Sequence, residues 1–234
     1  MGKERLDKFI SNQLNIARST VRTGVRRGLA QVNGNIIKNT GYLINADGDN
    51  VNYDGNNVVY KKYIYIVLNK PAGVITASKD KSVKTVLDLV PENMRRRNLS
   101  PVGRLDKDTT GLLIITDDGD FAHKCISPKS GISKTYIAEL DGDIDEKIIC
   151  EFERGVVLAD GCRCKPSKLF RIDENIVRVV ITEGKYHQIK RMFGVFGLGV
   201  NSLHRESIGN YVLPHDLKTG ECKEIAEIAR KIGI

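Results

Sequence analysis

The sequence predicts an α+β protein in two parts, a small N-terminal module over residues 1–59 and a larger domain over 60–234 built on a mainly antiparallel sheet. Three observations lead there. The chain has 234 residues, long for one ordinary domain and short for three. Its basic side chains crowd toward the N-terminus. Beyond residue 60, strand-like and helix-like segments alternate irregularly, without the helix after every strand that a parallel sheet requires.

With 41% hydrophobic and 28% charged residues the composition is that of a soluble globular protein. No apolar run reaches the roughly 18 residues that span a bilayer, and the charged start from Met1 to Arg5 lacks the apolar stretch of a secretory signal. A cytoplasmic protein with no membrane association is expected. Of five cysteines, only Cys162 and Cys164 lie close together. A lone C-x-C with no second pair and no nearby histidine is not a zinc ligand set, so reduced thiols and no metal are expected. The net charge of +8 favours a polyanionic partner, and its distribution sharpens the point.

Leu6, Phe9, Ile10 and Leu14 recur at helical spacing, with Lys3, Arg5, Asp7 and Lys8 between them, so a short amphipathic helix is predicted. A second helix is predicted to start at Ser19 or Thr20, to bury Val21, Val25 and Leu29, and to end near Gly28. Arg18, Arg22 and Arg26, four residues apart, share one face of it, with Arg27 beside them. Next, Asn33-Gly34 between Gln31-Val32 and Asn35-Ile37 reads as a hairpin closed by a type I′ turn. Residues 1–38 hold eight basic side chains against Glu4 and Asp7, and so carry +6 of the net +8. A helix, a basic helix and a V-N-G hairpin in that order resemble the RNA-binding module named after ribosomal protein S-four, over about residues 3–55. The resemblance implies that Arg18, Arg22, Arg26 and Arg27 neutralise phosphates and anchor RNA without reading its sequence. Asp54-Gly55-Asn56-Asn57, followed by Lys61-Lys62, has the composition of a linker, which places the boundary near residue 60.

In the larger part, strands are predicted at 63–68, 111–116, 134–140, 169–172, 177–181 and near 200–203. Helices are predicted at 83–89, 120–126, 145–152, 186–196 and 224–232. Asn69-Lys70-Pro71-Ala72-Gly73 reads as a turn. The most informative stretch is Pro101 to Gly119, where a loop G-R-L-D-K-D-T-T-G precedes an apolar strand ending at D-D-G. Arg104, Asp106, Lys107 and Asp108 thus stand immediately before a buried strand.

This wording, G-R-L-D-x-D-T-x-G-L-L followed by T-x-D-G, resembles the signature of the pseudouridine synthases, and in particular the RsuA-type branch. Further blocks of that family follow the same order around it: Asn69 to Gly73, Lys134-Thr135-Tyr136, and E-G-K-Y-H-Q-I-K-R-M-F from Glu183 to Phe193, with His204-Arg205 and Ile208-Gly209 beyond. Asp117 stands where the family commonly has Asn. The resemblance implies a pseudouridine synthase fold and isomerisation of uridine in RNA, which needs no redox step and no cofactor. It makes Asp106 the catalytic carboxylate, either nucleophile or base. Lys190 is implied as the cation that keeps Asp106 ionised against desolvation, and Arg104 as an organiser of the site. Tyr136 is implied as a ring that stacks on an extruded uracil and offers a hydroxyl. Lys185 and Arg191 are assigned to RNA contacts, and His187 to a positional role.

The implied partner is ribosomal RNA, or the small ribosomal subunit during assembly, met by a monomer. Large-subunit enzymes tend to read G-x-x-R-Q-(I/V)-R-R-M in the third block, whereas Tyr186 to Lys190 is most like the enzyme of 16S small-subunit RNA. Two alternatives stand beside it. One is a large-subunit 23S enzyme, and the other is a noncatalytic RNA-binding assembly factor, against which the presence of Asp106 argues.

Overall fold

The computed structural model describes residues 3–233. They form two compact units, one comprising the chain up to Ile64 together with Pro91–Leu99, the other Tyr65–Val90 with the chain from Ser100 onward. The segment Pro91–Leu99 thus packs with the N-terminal unit although it lies far beyond the boundary near residue 60 that composition suggests.

In the first unit, α1 (Leu6–Gln13) and α2 (Arg18–Arg26) pack on a small antiparallel sheet. Its strands are β1 (Ala30–Val32), β2 (Asn35–Ile36), β3 (Val51–Tyr53) and β4 (Asn56–Asn57), in the order β2-β1-β3-β4. The helical stripe read from the sequence is its core: Leu6, Phe9 and Ile10 meet Val21, Val25, Ala30 and Val51. Both residues of the β1–β2 turn have positive φ, 51° at Asn33 and 82° at Gly34, as a type I′ turn demands. Two details differ from expectation. Helix α2 begins at Arg18 with Ala17 at its cap, ahead of Ser19. Leu29 is 40% exposed, because the helix stops at Arg26 and the chain reverses at Gly28, with φ 85°, before Leu29 can join the apolar face.

The second unit is a nine-stranded sheet. Its strands are β5 (Tyr65–Lys70), β6 (Ser100–Pro101), β7 (Thr110–Thr116), β8 (Lys134–Leu140), β9 (Lys168–Arg171), β10 (Ile176–Ile181), β11 (Val200–Ile208), β12 (Tyr211–Val212) and β13 (Cys222–Glu224). The order is β9-β10-β8-β11-β7-β5-β13, with β6 on β7 and β12 on β11. The strands pair antiparallel except β11 with β7, which run parallel through His204–Thr110 and Arg205–Gly111. The mixed helix and strand content and the mainly antiparallel sheet are therefore those expected. Helices α3 (Gly119–Ile126) and α6 (Ile228–Ile232) cover part of the sheet, where Phe121, Ile228 and Ile232 pack on Val67, Leu112 and Ile114. The D-D-G that ends β7 is a helix cap: Asp118 accepts the Phe121 amide at 3.0 Å and the Tyr65 hydroxyl at 2.6 Å. Helix α4 (Glu146–Arg154) is capped in the same way by Asp145.

Three predicted helices are shorter than their patterns. Val83–Leu89 contains only a 3-10 turn, Val86–Leu89, started by a Thr85–Asp88 capping box. Helix α5 spans Gln188–Gly194, because His187 before it adopts a left-handed φ of 47°. The C-terminal pattern splits, since Cys222–Glu224 is drawn into the sheet beside Leu68, Val67 and Ile66, and only Ile228–Ile232 remains helical.

Candidate active site

The parallel seam between β7 and β11 fixes the site. Gly111 has φ 100°, and a Cβ there would stand 2.4 Å from the Arg205 carbonyl oxygen; only glycine lets the strands meet this closely. The loop entering β7 carries Asp106 and is held from below by the N-K-P-A-G block. The fully buried Lys70 ammonium donates to the carbonyls of Thr109 at 2.9 Å, Pro71 at 3.0 Å and Lys107 at 3.3 Å. The Gly73 amide donates to Lys107 at 2.8 Å, and the Thr76 hydroxyl both donates to the Leu105 carbonyl at 2.7 Å and accepts its amide at 3.1 Å. The sequence pattern ends the strand before Asn69 and makes the whole block a turn. In the structure Asn69 and Lys70 are the end of β5, and Lys70 is a strut beneath the Asp106 loop.

Burial pulls the Lys70 pKa down to about 8, against the opposing pull of Asp108 and Asp106. Between there and the unfolded value near 10.4, the unfolded chain holds the extra proton. Lys70 therefore makes stability rise with pH across that window, while the neutral amine loses one of its three donors to the loop. We expect the single-turnover rate to fall above about pH 8 under conditions where thermal stability does not. A Lys70→Met variant, slower throughout, should lack this alkaline limb, and a limb of unchanged position in that variant would refute the assignment.

Above the loop lies a cavity of about 730 Å³, lined by Arg104, Asp106, Tyr136, Lys185, His187 and Lys190 among others. That lies in the range of roughly 300–1,000 Å³ typical of small-molecule sites. All four residues given catalytic roles by sequence thus meet in one place. Their pairing differs from expectation. The Lys190 ammonium bonds to Asp108, not to Asp106, and holds the Asp108 carboxyl below the ordinary carboxylate range. The nearest cationic partner of Asp106 is His187, with Nε2 3.5 Å from Oδ1, a charged pair when the imidazole is protonated. Asp106 and Asp108 flank one residue of the same loop, and the lysine on α5 takes the second of them. The left-handed turn at His187 places its ring in the cavity. Tyr186, 70% exposed, stacks on that ring with centroids 3.8 Å apart, presenting an aromatic face outward. Tyr136 is 7% exposed, and its hydroxyl accepts from Arg205 Nη1 at 3.4 Å. Arg104 is exposed at the wall of the cavity.

The residues assigned to RNA divide between the units. Lys185 donates to the Arg163 carbonyl at 2.6 Å and to Cys162 Sγ at 3.1 Å. Arg191 pairs with Asp160 at 2.5 Å. In the first unit, Arg18 and Arg22 do not simply project into solvent. They clasp the buried Asp7 at 2.8 and 2.7 Å, with Arg5 at 3.2 Å, whereas Arg26 and Arg27 are exposed. Sequence reasoning misses three residues at the site: His187, given only a positional role, and Lys70 and Arg205, which stand inside family blocks without a role.

A carboxylate on a loop braced by hydrogen bonds, a buried aromatic ring and a cavity of small-molecule size meet at a parallel seam in a mainly antiparallel sheet, an arrangement that suits an enzyme. Residues 64–194 match the family model described as RNA pseudouridylate synthase. The chain is 38% identical, over 95% of its length and 96% of theirs, to the ribosomal small subunit pseudouridine synthases A of Escherichia coli K12 and Salmonella typhimurium. It is also 38% identical, over 95% of both chains, to an uncharacterized RNA pseudouridine synthase of Bacillus subtilis. A crystal structure of a pseudouridylate synthase, 33% identical, superposes with a TM-score of 0.67 over 97% of this chain and 99% of its own. The chain belongs to the RNA pseudouridylate synthase family, and its similarity to the small-subunit enzymes supports the RsuA-type assignment.

Proposed function

We propose that the protein isomerises a specific uridine of 16S small-subunit ribosomal RNA to pseudouridine, with Asp106 as the catalytic carboxylate. The observation that carries this is Asp106 itself, held by backbone bonds at the mouth of a cavity that also contains Tyr136 and His187. The similarity to small-subunit enzymes favours the small subunit as substrate. Tyr136 supplies a buried ring for an extruded uracil. Lys190 acts on Asp106 through Asp108 and the loop they share, and Arg104 organises the cavity wall. Lys185, Arg191 and the stacked Tyr186 meet the flanking RNA. The reaction runs in the cytoplasm, in a monomer, without cofactor or metal.

Residues 1–59, the greater part of the first unit, are read as an S-four-like RNA-binding module joined to a catalytic domain 60–234. Its phosphate contacts fall to Arg26 and Arg27, with the half-exposed Arg18 and Arg22 contributing what their bonds to Asp7 leave free. Arg26→Gln with Arg27→Gln, which spares the Asp7 cluster, should weaken binding to any RNA. It should also flatten the slope of log affinity against log salt by up to about 0.7–0.9 for each phosphate no longer neutralised. The single-turnover rate at saturating enzyme should hold, since binding lost equally from ground and transition states spares the chemical step. An unchanged salt slope would return the two arginines to a merely solvated face.

Mapping pseudouridine in ribosomal RNA from cells with and without the gene tests the assignment. One small-subunit pseudouridine should disappear. Loss of a large-subunit position instead would make it a 23S enzyme, and an unchanged map would favour a noncatalytic assembly factor.

A further inference from the structure

Lys134 and Arg205 are two buried cations that line the cavity beside Tyr136. On β8, Lys134 and Tyr136 are two residues apart and so share a face of the sheet. Arg205 stands directly across from Tyr136 on β11. None of the hydrogen bonds that the two cations make among the described residues goes to a carboxylate. Lys134 Nζ donates to the Ile132 carbonyl at 2.9 Å, leaving two of its three donors. Arg205, 3% exposed, donates from Nε to the Leu112 carbonyl at 2.7 Å and from Nη1 to the Tyr136 hydroxyl oxygen at 3.4 Å, while its buried Nη2 finds no acceptor. Buried charges are ordinarily paired, because an isolated one is costly. Two of them without a carboxylate, at the wall of a reaction cavity, mark a place where negative charge arrives.

The reaction itself supplies that charge. Breaking the bond between N1 of uracil and C1′ of ribose leaves the electron pair on the base, spread over N1 and the two carbonyl oxygens. If Asp106 instead adds to C6 of the base, the pair is shared by N1 and the C2 oxygen alone, and the base still departs with negative charge. The bond that then forms joins C5 to C1′, and the C5 proton goes to solvent. We propose that Lys134, the Tyr136 hydroxyl and Arg205 form the subsite that stabilises the departing uracil anion. Arginine only donates, so its bond to Tyr136 makes the phenol oxygen an acceptor and turns the phenolic hydrogen free for a uracil oxygen. Lys134 and Tyr136 touch the base, and Arg205 is a positioning residue that acts through Tyr136. Burial, reinforced by the positive charge of Arg205, pushes the Lys134 ammonium below its ordinary pKa, as expected of a cation waiting for its anion. Preorganised donors of this kind, aimed at developing charge in a site closed to water, are worth far more than in solvent.

The inference rests on the reading of the chain as a uridine isomerase, and the test separates the two. Small-subunit RNA is transcribed with uridine or with 5-fluorouridine, whose electron-withdrawing fluorine makes the base a better leaving anion. Formation of the C-linked nucleoside is followed by mass spectrometry in single turnovers at saturating enzyme. On the fluorinated base C5 carries no proton to lose, so the C-linked ring keeps its fluorine and is completed by water adding across N1 and C6, a product heavier by the mass of one water. If wild-type protein converts neither RNA, the function reading fails. If it converts uridine RNA, Lys134→Met and Arg205→Met should each slow conversion by about 10²–10³-fold with RNA affinity little changed. On 5-fluorouridine RNA that loss should shrink at least about tenfold, because a better leaving group needs the cations less. Equal losses on the two RNAs would overturn the proposal and leave the cations a purely structural role. Should a Met variant fail to fold, Lys134→Arg and Arg205→Lys keep the charge and should retain most of the uridine rate. A loss in these folded variants that fluorine does not relieve would likewise overturn it.

Discussion

Asp106→Asn abolishes isomerisation, lowering the single-turnover rate by on the order of 10⁴-fold or more, the scale seen when a reacting group is removed from an intact site. The carboxamide has the same shape and no negative charge. The loop does not depend on the lost carboxylate, since the bonds that hold it run to the carbonyls of Leu105, Lys107 and Thr109 from Thr76, Gly73 and Lys70. The Asn variant should therefore fold normally and bind RNA within about twofold of wild type, a change under roughly half a kcal/mol. Filter binding and single-turnover assays on one preparation measure both. Turnover within tenfold of wild type would remove Asp106 from the chemistry.

The largest expected effect on stability comes from Asp7, remote from the reaction. Its side chain is fully buried and receives Arg22 at 2.7 Å, Arg18 at 2.8 Å and Arg5 at 3.2 Å. Burial works against its charge, but the hydrogen bonds from Arg18, Arg5 and Arg22 outweigh that and hold the carboxyl far below the ordinary range. Asp7→Ala leaves three guanidinium groups crowded around an apolar gap. Breaking a buried pair costs about 3–5 kcal/mol, and because the three arginines are 37–45% exposed the lower end, about 3 kcal/mol, is expected. The pH dependence follows from the depressed folded pKa. Stability from Asp7 is complete above the unfolded value near 3.9 and drains away as pH falls below it toward the folded value. Denaturant titrations at several pH values should show wild-type stability dropping below about pH 4, with a shallower drop in Asp7→Asn. Equal slopes would show that the cluster contributes nothing to folding.

The sheet is legible in the sequence where side-chain alternation and β-branched runs are strong, as at Lys134–Leu140, whose bounds match the expected strand. Helices are less so, because the 83–89 and 224–232 patterns describe apolar spacing that a 3-10 turn and an edge strand satisfy equally well. Asp106 is legible because its loop has distinctive wording. Its neighbours are not, for identifiable reasons. His187 reaches Asp106 through a left-handed backbone turn that no side-chain pattern announces. Lys190 pairs with Asp108, and linear order does not choose between that carboxylate and Asp106 two residues before it. Arg205 meets Tyr136 across 69 residues of sequence, by strand register alone. The spacing of Arg18 and Arg22 predicts their common face but not Asp7, the buried acid on the preceding helix that the face covers.

The most direct measurement of the central claim is tritium release from RNA carrying tritium at C5 of uridine. Isomerisation at C5 exchanges that hydrogen with solvent, so the purified protein should release close to one equivalent per molecule of small-subunit RNA. It should release none from large-subunit RNA, and none in either case with Asp106→Asn. No release by the wild-type protein from naked small-subunit RNA or from assembling small-subunit particles would contradict the account, as would release by the Asn variant at a comparable rate.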